Sequence, residues 1–168
     1  MTLAFSTQLN KKPTFFVEKI NIGLLGKKLI EYQKFIEYVD KYYSTFLNYE
    51  APINHVLPKL HTIRHDEHER WKAGMNIHFV INNRTPNRYQ FAPVIKCTSV
   101  QEINIVYWYN PKTEQFDKPA IYIDKKVLSK KQVEQLAVND GFDNTEAFFA
   151  YFNTNFNGKI IHWTNTRY

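Results

Sequence analysis

Lys59, Thr62 and Arg64 fall together in the run Lys-x-x-Thr-x-Arg, with His61 between them. A hydroxyl becomes a nucleophile only beside a base or a low-pKa amine, so Lys59 and Thr62 are residue types that fit together chemically. Arg64 adds a planar fork that stacks on bases and grips phosphate. On an extended segment, side chains two apart share a face. Thr62 and Arg64 therefore align, and Lys59 lies on the other side unless the chain turns at Pro58-Lys59. The alternative is a surface strand carrying ordinary polar residues.

Around this run lie further candidates. Arg70, Trp71, Lys72, Arg84, Arg88 and Tyr89 interleave basic and aromatic side chains. Such a rim holds a phosphate backbone while a ring stacks on a base; Trp71 equally suits packing beneath the turn at Lys72-Ala73-Gly74. His61, His65 and His68, with Asp66, Glu67 and Glu69, fit no standard zinc spacing and have no cysteine near them, so no metal is expected. Nothing in the chain calls for a cofactor. Near the end, His162 and Trp163 in KIIHWTNTRY either approach the same cleft or, by the alternation of Ile161 and Trp163, belong to the core.

Positioning these residues requires strands and helices, and the pattern supplies both. Leu3 to Phe5 and Thr14 to Ile20 read as short extended pieces parted by the turn Asn10-Lys11-Lys12-Pro13. From Lys27 to about Tyr49 apolar residues recur at helical intervals through Phe35, Val39, Tyr42 and Phe46, giving one long amphipathic helix. Pro52 and Pro58 bracket the next loop. Strands are expected over Met75–Val80, Val94–Thr98, Ile103–Tyr109 and Ala120–Ile123, with polar connections at 82–87 and 110–119. Ser129 with Gln132, and Asp143 with Glu146, have the spacing of capping boxes that open two short helices. Gly141 suits a left-handed helix end. Asn157-Gly158 reads as a turn into a last strand over Lys159–Trp163. The order β, long α, several β, two short α, β describes an α+β domain with a mostly antiparallel sheet or barrel.

Composition agrees with a globular chain: of 168 residues, 43% are hydrophobic and 23% charged, so one domain with an ordinary core is expected. The net charge of +6 favours polyanions without demanding them. A single cysteine, Cys97, excludes an intrachain disulfide. With no apolar run of membrane-spanning length and no basic-then-apolar leader, a soluble cytoplasmic protein with no membrane partner is the expectation.

The run Lys59-x-x-Thr62-x-Arg64, followed by Trp71-Lys72-Ala73-Gly74 and a strand, resembles the opening signature of the ASCH domain family. The resemblance implies a PUA-like β-barrel of mostly antiparallel strands with flanking helices over residues 1–168, elaborated by the long helix inserted at about 26–49. It also implies a cleft that binds RNA or a modified nucleotide, lined by Lys59, Thr62 and Arg64. One branch of the family hydrolyses the amide of N4-acetylcytidine with a Thr nucleophile, a Lys that activates it and a Glu for proton transfer. Lys59 and Thr62 stand at the matching positions. Asp140, in LAVNDGF, stands where that branch has Glu and is one methylene shorter; its alternative role is a turn residue before Gly141.

Overall fold

The computed structural model describes residues 1–9, 11–46, 56–112, 114–116 and 119–168. Its centre is a five-stranded antiparallel sheet ordered β12-β11-β8-β13-β4. Here β4 is His61–Arg64, β8 Ser99–Val106, β11 Ala120–Ile123, β12 Lys126–Val127 and β13 Phe156–His162. A second sheet pairs β1 (Thr2–Ala4) in parallel with β5 (Asn76–Ile81), which also takes β6 (Tyr89–Gln90) and β7 (Ile95–Lys96). Two small hairpins complete the strands: β2 (Gln8–Leu9) with β3 (Lys12–Pro13), and β9 (Tyr109–Asn110) with β10 (Gln115–Phe116). The chain is thus α+β with mostly antiparallel strands, and among the described residues neither sheet closes on itself.

Period-two alternation puts the sheet's residues into two cores. Ile63, Ile103, Ile105, Ile121, Ile123 and Ile160 face Leu136 and Phe148 of helices α3 (Lys130–Asn139) and α4 (Thr145–Tyr151), with Phe152 just past α4. Ile161 and Trp163 face the other way, into a cluster with Phe5, Phe79 and Phe91 and with Val17, Ile20 and Leu24 of helix α1 (Phe16–Gly26). Helix α2 (Tyr32–Phe46) lays Phe35, Val39 and Tyr42 onto the molecule.

Several expectations change here. The long helix expected from Lys27 starts later and is shorter: a separate helix, α1, ends at Gly26, the chain turns with Lys28 at φ 57°, and α2 runs from Tyr32 to Phe46. Its expected end at Tyr49, Pro52 and Asn10 lie outside the described residues, while Lys11, Lys12 and Pro13 of the expected turn belong to the β2–β3 hairpin. Thr14–Ile20 is not a strand. Val17, Ile20 and Leu24 repeat at three and four residues, and Asn21 Nδ2 donates to Val17 O and to Phe91 O at 2.9 and 3.0 Å, so the helical period decides over β-branched propensity. Gly158 sits inside β13 rather than in a turn, where a Cβ would meet Arg64 O at 2.5 Å. The Ser129 capping box forms as expected, whereas α4 is capped by Asn144, whose side chain accepts from Ala147 N at 2.8 Å, and not by Asp143.

Gly23 lets α1 approach the segment before β4: a Cβ there would stand 2.6 Å from Lys59 O. Helix propensity alone predicts that Gly23→Ala stabilises by about 1 kcal/mol. The close approach predicts the reverse, a loss of about 1–3 kcal/mol, which urea denaturation will read directly.

Candidate functional site

Lys59 belongs to the irregular segment before β4, which is held from both sides. Its N–H donates to Lys19 O in α1 at 2.9 Å, and Leu60 N–H donates to Asn139 O at the end of α3 at 2.8 Å. The side chain, 2% exposed, runs inward to Asp140. Lys59 Nζ donates to Asp140 Oδ1 at 2.9 Å and to the Asp140 backbone carbonyl. The ammonium also stands 4.8 Å from the centre of the Phe16 ring.

Asp140 follows the last residue of α3, and Gly141 turns the chain with φ 91°. A Cβ on Gly141 would stand 3.0 Å from both Lys59 Cδ and Phe16 Cε1, so glycine serves here for space as well as for conformation. Asp140 Oδ1 also accepts from Ile63 N–H at 3.0 Å on the open edge of β4, and His61 Nδ1 stands 3.5 Å from it. On the far side of that ring, His61 Nε2 and the Tyr168 hydroxyl share a hydrogen bond of 2.7 Å, and the hydroxyl accepts from Asn139 Nδ2 at 2.9 Å. Buried His162 lies beside this group, its ring centre 5.3 Å from that of His61.

Burial sets the protonation of this cluster. It lowers Lys59 to about 8 despite the opposing pull of Asp140, and Arg64 and Lys19 push the same way. Burial alone would raise Asp140, yet the Lys59 charge and His61 hold its carboxyl below the usual range. Desolvation, with His61 next, depresses His162 to about 3, so that ring is neutral.

Lys59 and Asp140 therefore meet, and His61 joins them. Thr62 does not. It pairs across β4 with Ile161, sharing Arg64's face and not that of His61 and Ile63, and its hydroxyl makes no hydrogen bond with Lys59 or Asp140. Arg64 stacks over Phe5 at 5.1 Å and donates to Ala4 O at 2.7 Å, within electrostatic reach of Asp140 and Tyr151. Trp71 and Trp163 are core residues, 8% and 0% exposed, and offer no free ring face. Arg70 and Lys72 are exposed, and Arg70 Nε stands 3.6 Å from Asp66. Arg84 and Arg88 lie on the exposed turn between β5 and β6, and Tyr89 packs on Phe46 of α2 at 5.1 Å. These residues do not form one rim with Lys59. The histidine-rich run is instead organised by buried Asp66, which accepts from Trp71 N–H at 2.9 Å and Arg70 N–H at 3.2 Å.

Next to the Lys59–Asp140 pair opens a cleft of about 270 Å³, walled by Phe16, Lys19, Gly141, Asp143 and Tyr151 and closed on one side by Lys12 and Pro13 of the β2–β3 hairpin. Lys19 and Tyr151 were not among the residues singled out by sequence, and Asp143 was read there only as a cap. Lys19 escapes notice because its segment reads as extended; on a helix it sits between the buried positions Val17 and Ile20. A wider hollow of about 550 Å³ over β8 and β13 is lined by Asp66, Glu67, Glu69, Glu102 and Lys159, a predominantly acidic surface that repels polyanions. Among the described residues no helix is long and apolar enough to cross a membrane. No family model, curated protein or solved structure compared with the chain matches it.

Removing one member of a buried ion pair strands the other charge. Lys59→Met and Asp140→Asn should each destabilise by about 3–5 kcal/mol, and the double variant should recover most of that loss by thermal or urea denaturation. Because Asp140 titrates below its unfolded value, its contribution is present above about pH 4 and is lost as pH falls further, so Asp140→Asn should flatten the acid limb of the stability profile.

Proposed function

We propose that the chain binds RNA or a modified nucleotide in the cleft between α1, α4 and the β2–β3 hairpin. One observation carries the reading. Lys12 and Lys19 meet at a cleft walled by the rings of Phe16 and Tyr151, with Asp143 at its side and the buried Lys59–Asp140 pair behind Gly141. Like charges gathered at partly desolvated positions disfavour folding and are common where an anion is bound. Phe16 and Tyr151 supply the flat faces on which a base stacks, and Arg64 remains the side chain suited to phosphate or base edges. The Lys-x-x-Thr-x-Arg run on an edge strand, followed by the Trp71–Gly74 turn and β5, supports a PUA-like arrangement of the kind the ASCH resemblance implies.

A second reading, amide hydrolysis of an acylated nucleoside, is favoured by the Lys59 amine, lowered to about 8 beside a carboxylate. It requires Thr62 to approach Lys59 more closely than it does here.

Short RNAs, nucleoside monophosphates and N4-acetylcytidine, each assayed for binding and by mass spectrometry for turnover, separate these readings. Binding should weaken with salt, and Tyr151→Ala should reduce it at least about fivefold. Arg64→Ala should weaken it as well, while Arg84→Ala and Arg88→Ala leave it unchanged. Loss of binding on changing Arg84 or Arg88, with none on changing Tyr151 or Arg64, would place the ligand elsewhere and sink the proposal. Turnover abolished by Thr62→Ala would establish the hydrolase instead.

A further inference from the structure

In the cleft, Lys19 carries an anion that the fold does not need. Its ammonium, at the end of an almost wholly buried side chain, donates to Gly141 O at 2.8 Å and to Asp143 Oδ1 at 3.1 Å. The carbonyl bond is structural: Lys59 takes the carbonyl of residue 140 and Lys19 that of residue 141, so consecutive peptide oxygens are fixed by two lysines. The Asp143 bond is different. That carboxylate is 84% exposed, and the cap of α4 that its position suggests is made by Asn144. An exposed carboxylate on one lysine contributes little and is readily exchanged. Lys19 cannot leave, because α1 is pinned by Asn21 to Phe91 O and by Lys19 O to Lys59 N.

We propose that Lys19 is the anion anchor of the cleft and that Asp143 is a resident counter-ion, displaced when a ligand phosphate takes its place on the ammonium. This rests on reading the cleft as a nucleotide site and names the chemistry of its ligand: a phosphomonoester or phosphodiester beside a planar base, rather than a free nucleoside. The base lies against Phe16 or Tyr151 and the phosphate reaches Lys19, with exposed Lys12 on the opposite wall. The exchange puts a dianionic or monoanionic phosphate where a single carboxylate stood, and the released Asp143 is already solvated. Asp143 thereby sets a threshold that weak anions such as chloride do not cross, because each ligand must outcompete a tethered carboxylate.

The test is an NMR titration of the whole chain at constant ionic strength with adenosine, adenosine 5′-monophosphate and inorganic phosphate as probes. Wild type should bind the monophosphate more tightly than adenosine. Asp143→Asn should tighten monophosphate binding about two- to fivefold and leave adenosine unchanged. Lys19→Gln should erase the difference between the two ligands; Asp143→Asn, at an exposed position, guards against misreading a folding defect. Equal binding of both ligands, or an Asp143→Asn variant indistinguishable from wild type, overturns the anion anchor while leaving a base-binding cleft. Phosphate bound in a Lys19- and Asp143-dependent way, with no gain from the base, keeps the anchor and removes the nucleotide reading. No change at the cleft with any probe removes both.

Discussion

The buried contact between Lys59 and Asp140 is the constraint to which the neighbouring elements conform. An ammonium and a carboxylate removed from water lose hydration that their mutual attraction repays only when every remaining donor and acceptor is occupied. Here the ammonium takes a carboxylate oxygen and a carbonyl, and that same oxygen, Asp140 Oδ1, also takes a strand N–H and faces an imidazole. Each partner comes from a different element. Lys59 precedes the edge strand, Asp140 ends α3, Ile63 N–H is the open edge of β4, and Phe16 begins α1. The pair thus holds the edge strand in register against the helix layer, where an apolar contact would tolerate sliding.

The same constraint explains why glycine stands at positions 23 and 141. Bringing α1 close enough to cover the ammonium leaves no room for a Cβ beside Lys59 O, and turning the chain after Asp140 leaves none beside Lys59 Cδ. It also distributes charge unevenly. Cations collect behind Phe16 and Phe5, on the side of the β4 edge, while carboxylates collect over the open face of β8 and β13, where Lys159 bridges Glu69 and Glu102 at 3.1 Å each. The wider hollow is thus lined mainly by carboxylates, while Lys12 and Lys19 meet the cleft beside Phe16.

How much of this could be read from the residues depended on the range of the interactions. Patterns within one element survived: the alternation of Ile103 and Ile105, the Ser129–Gln132 box and the turn at Gly141 need only local chemistry. The segment 14–20 did not, because its β-branched residues and its helical spacing point in different directions and only contact with Phe91 and Lys59 settles the matter. Lys59 and Asp140 were found as motif residues, but their meeting across 81 positions was not visible. Thr62 was grouped with Lys59 by proximity in sequence, whereas strand alternation sends it to the face of Arg64. Trp71 and Trp163 were ambiguous between rim and core, since an aromatic ring suits both and only the second sheet shows which surface is covered.

Enclosure gives Lys59 a role different from that of a surface lysine. Its ammonium does not line the cleft, yet it lies on the Phe16 ring, and Phe16 and Gly141 form part of the cleft wall. A cation on a ring draws electron density toward itself, so whatever stacks on the exposed part of Phe16 meets a ring already polarised. Electron-rich planar groups gain from that arrangement, and cationic ones lose. Lys19 adds a charge that does reach the cleft, and the difference between the two lysines divides the work: one shapes the field through an aromatic ring, the other offers direct hydrogen bonds. Because the first is already matched by Asp140, its field is moderated at the source, whereas the second is matched by a carboxylate that stands in solvent.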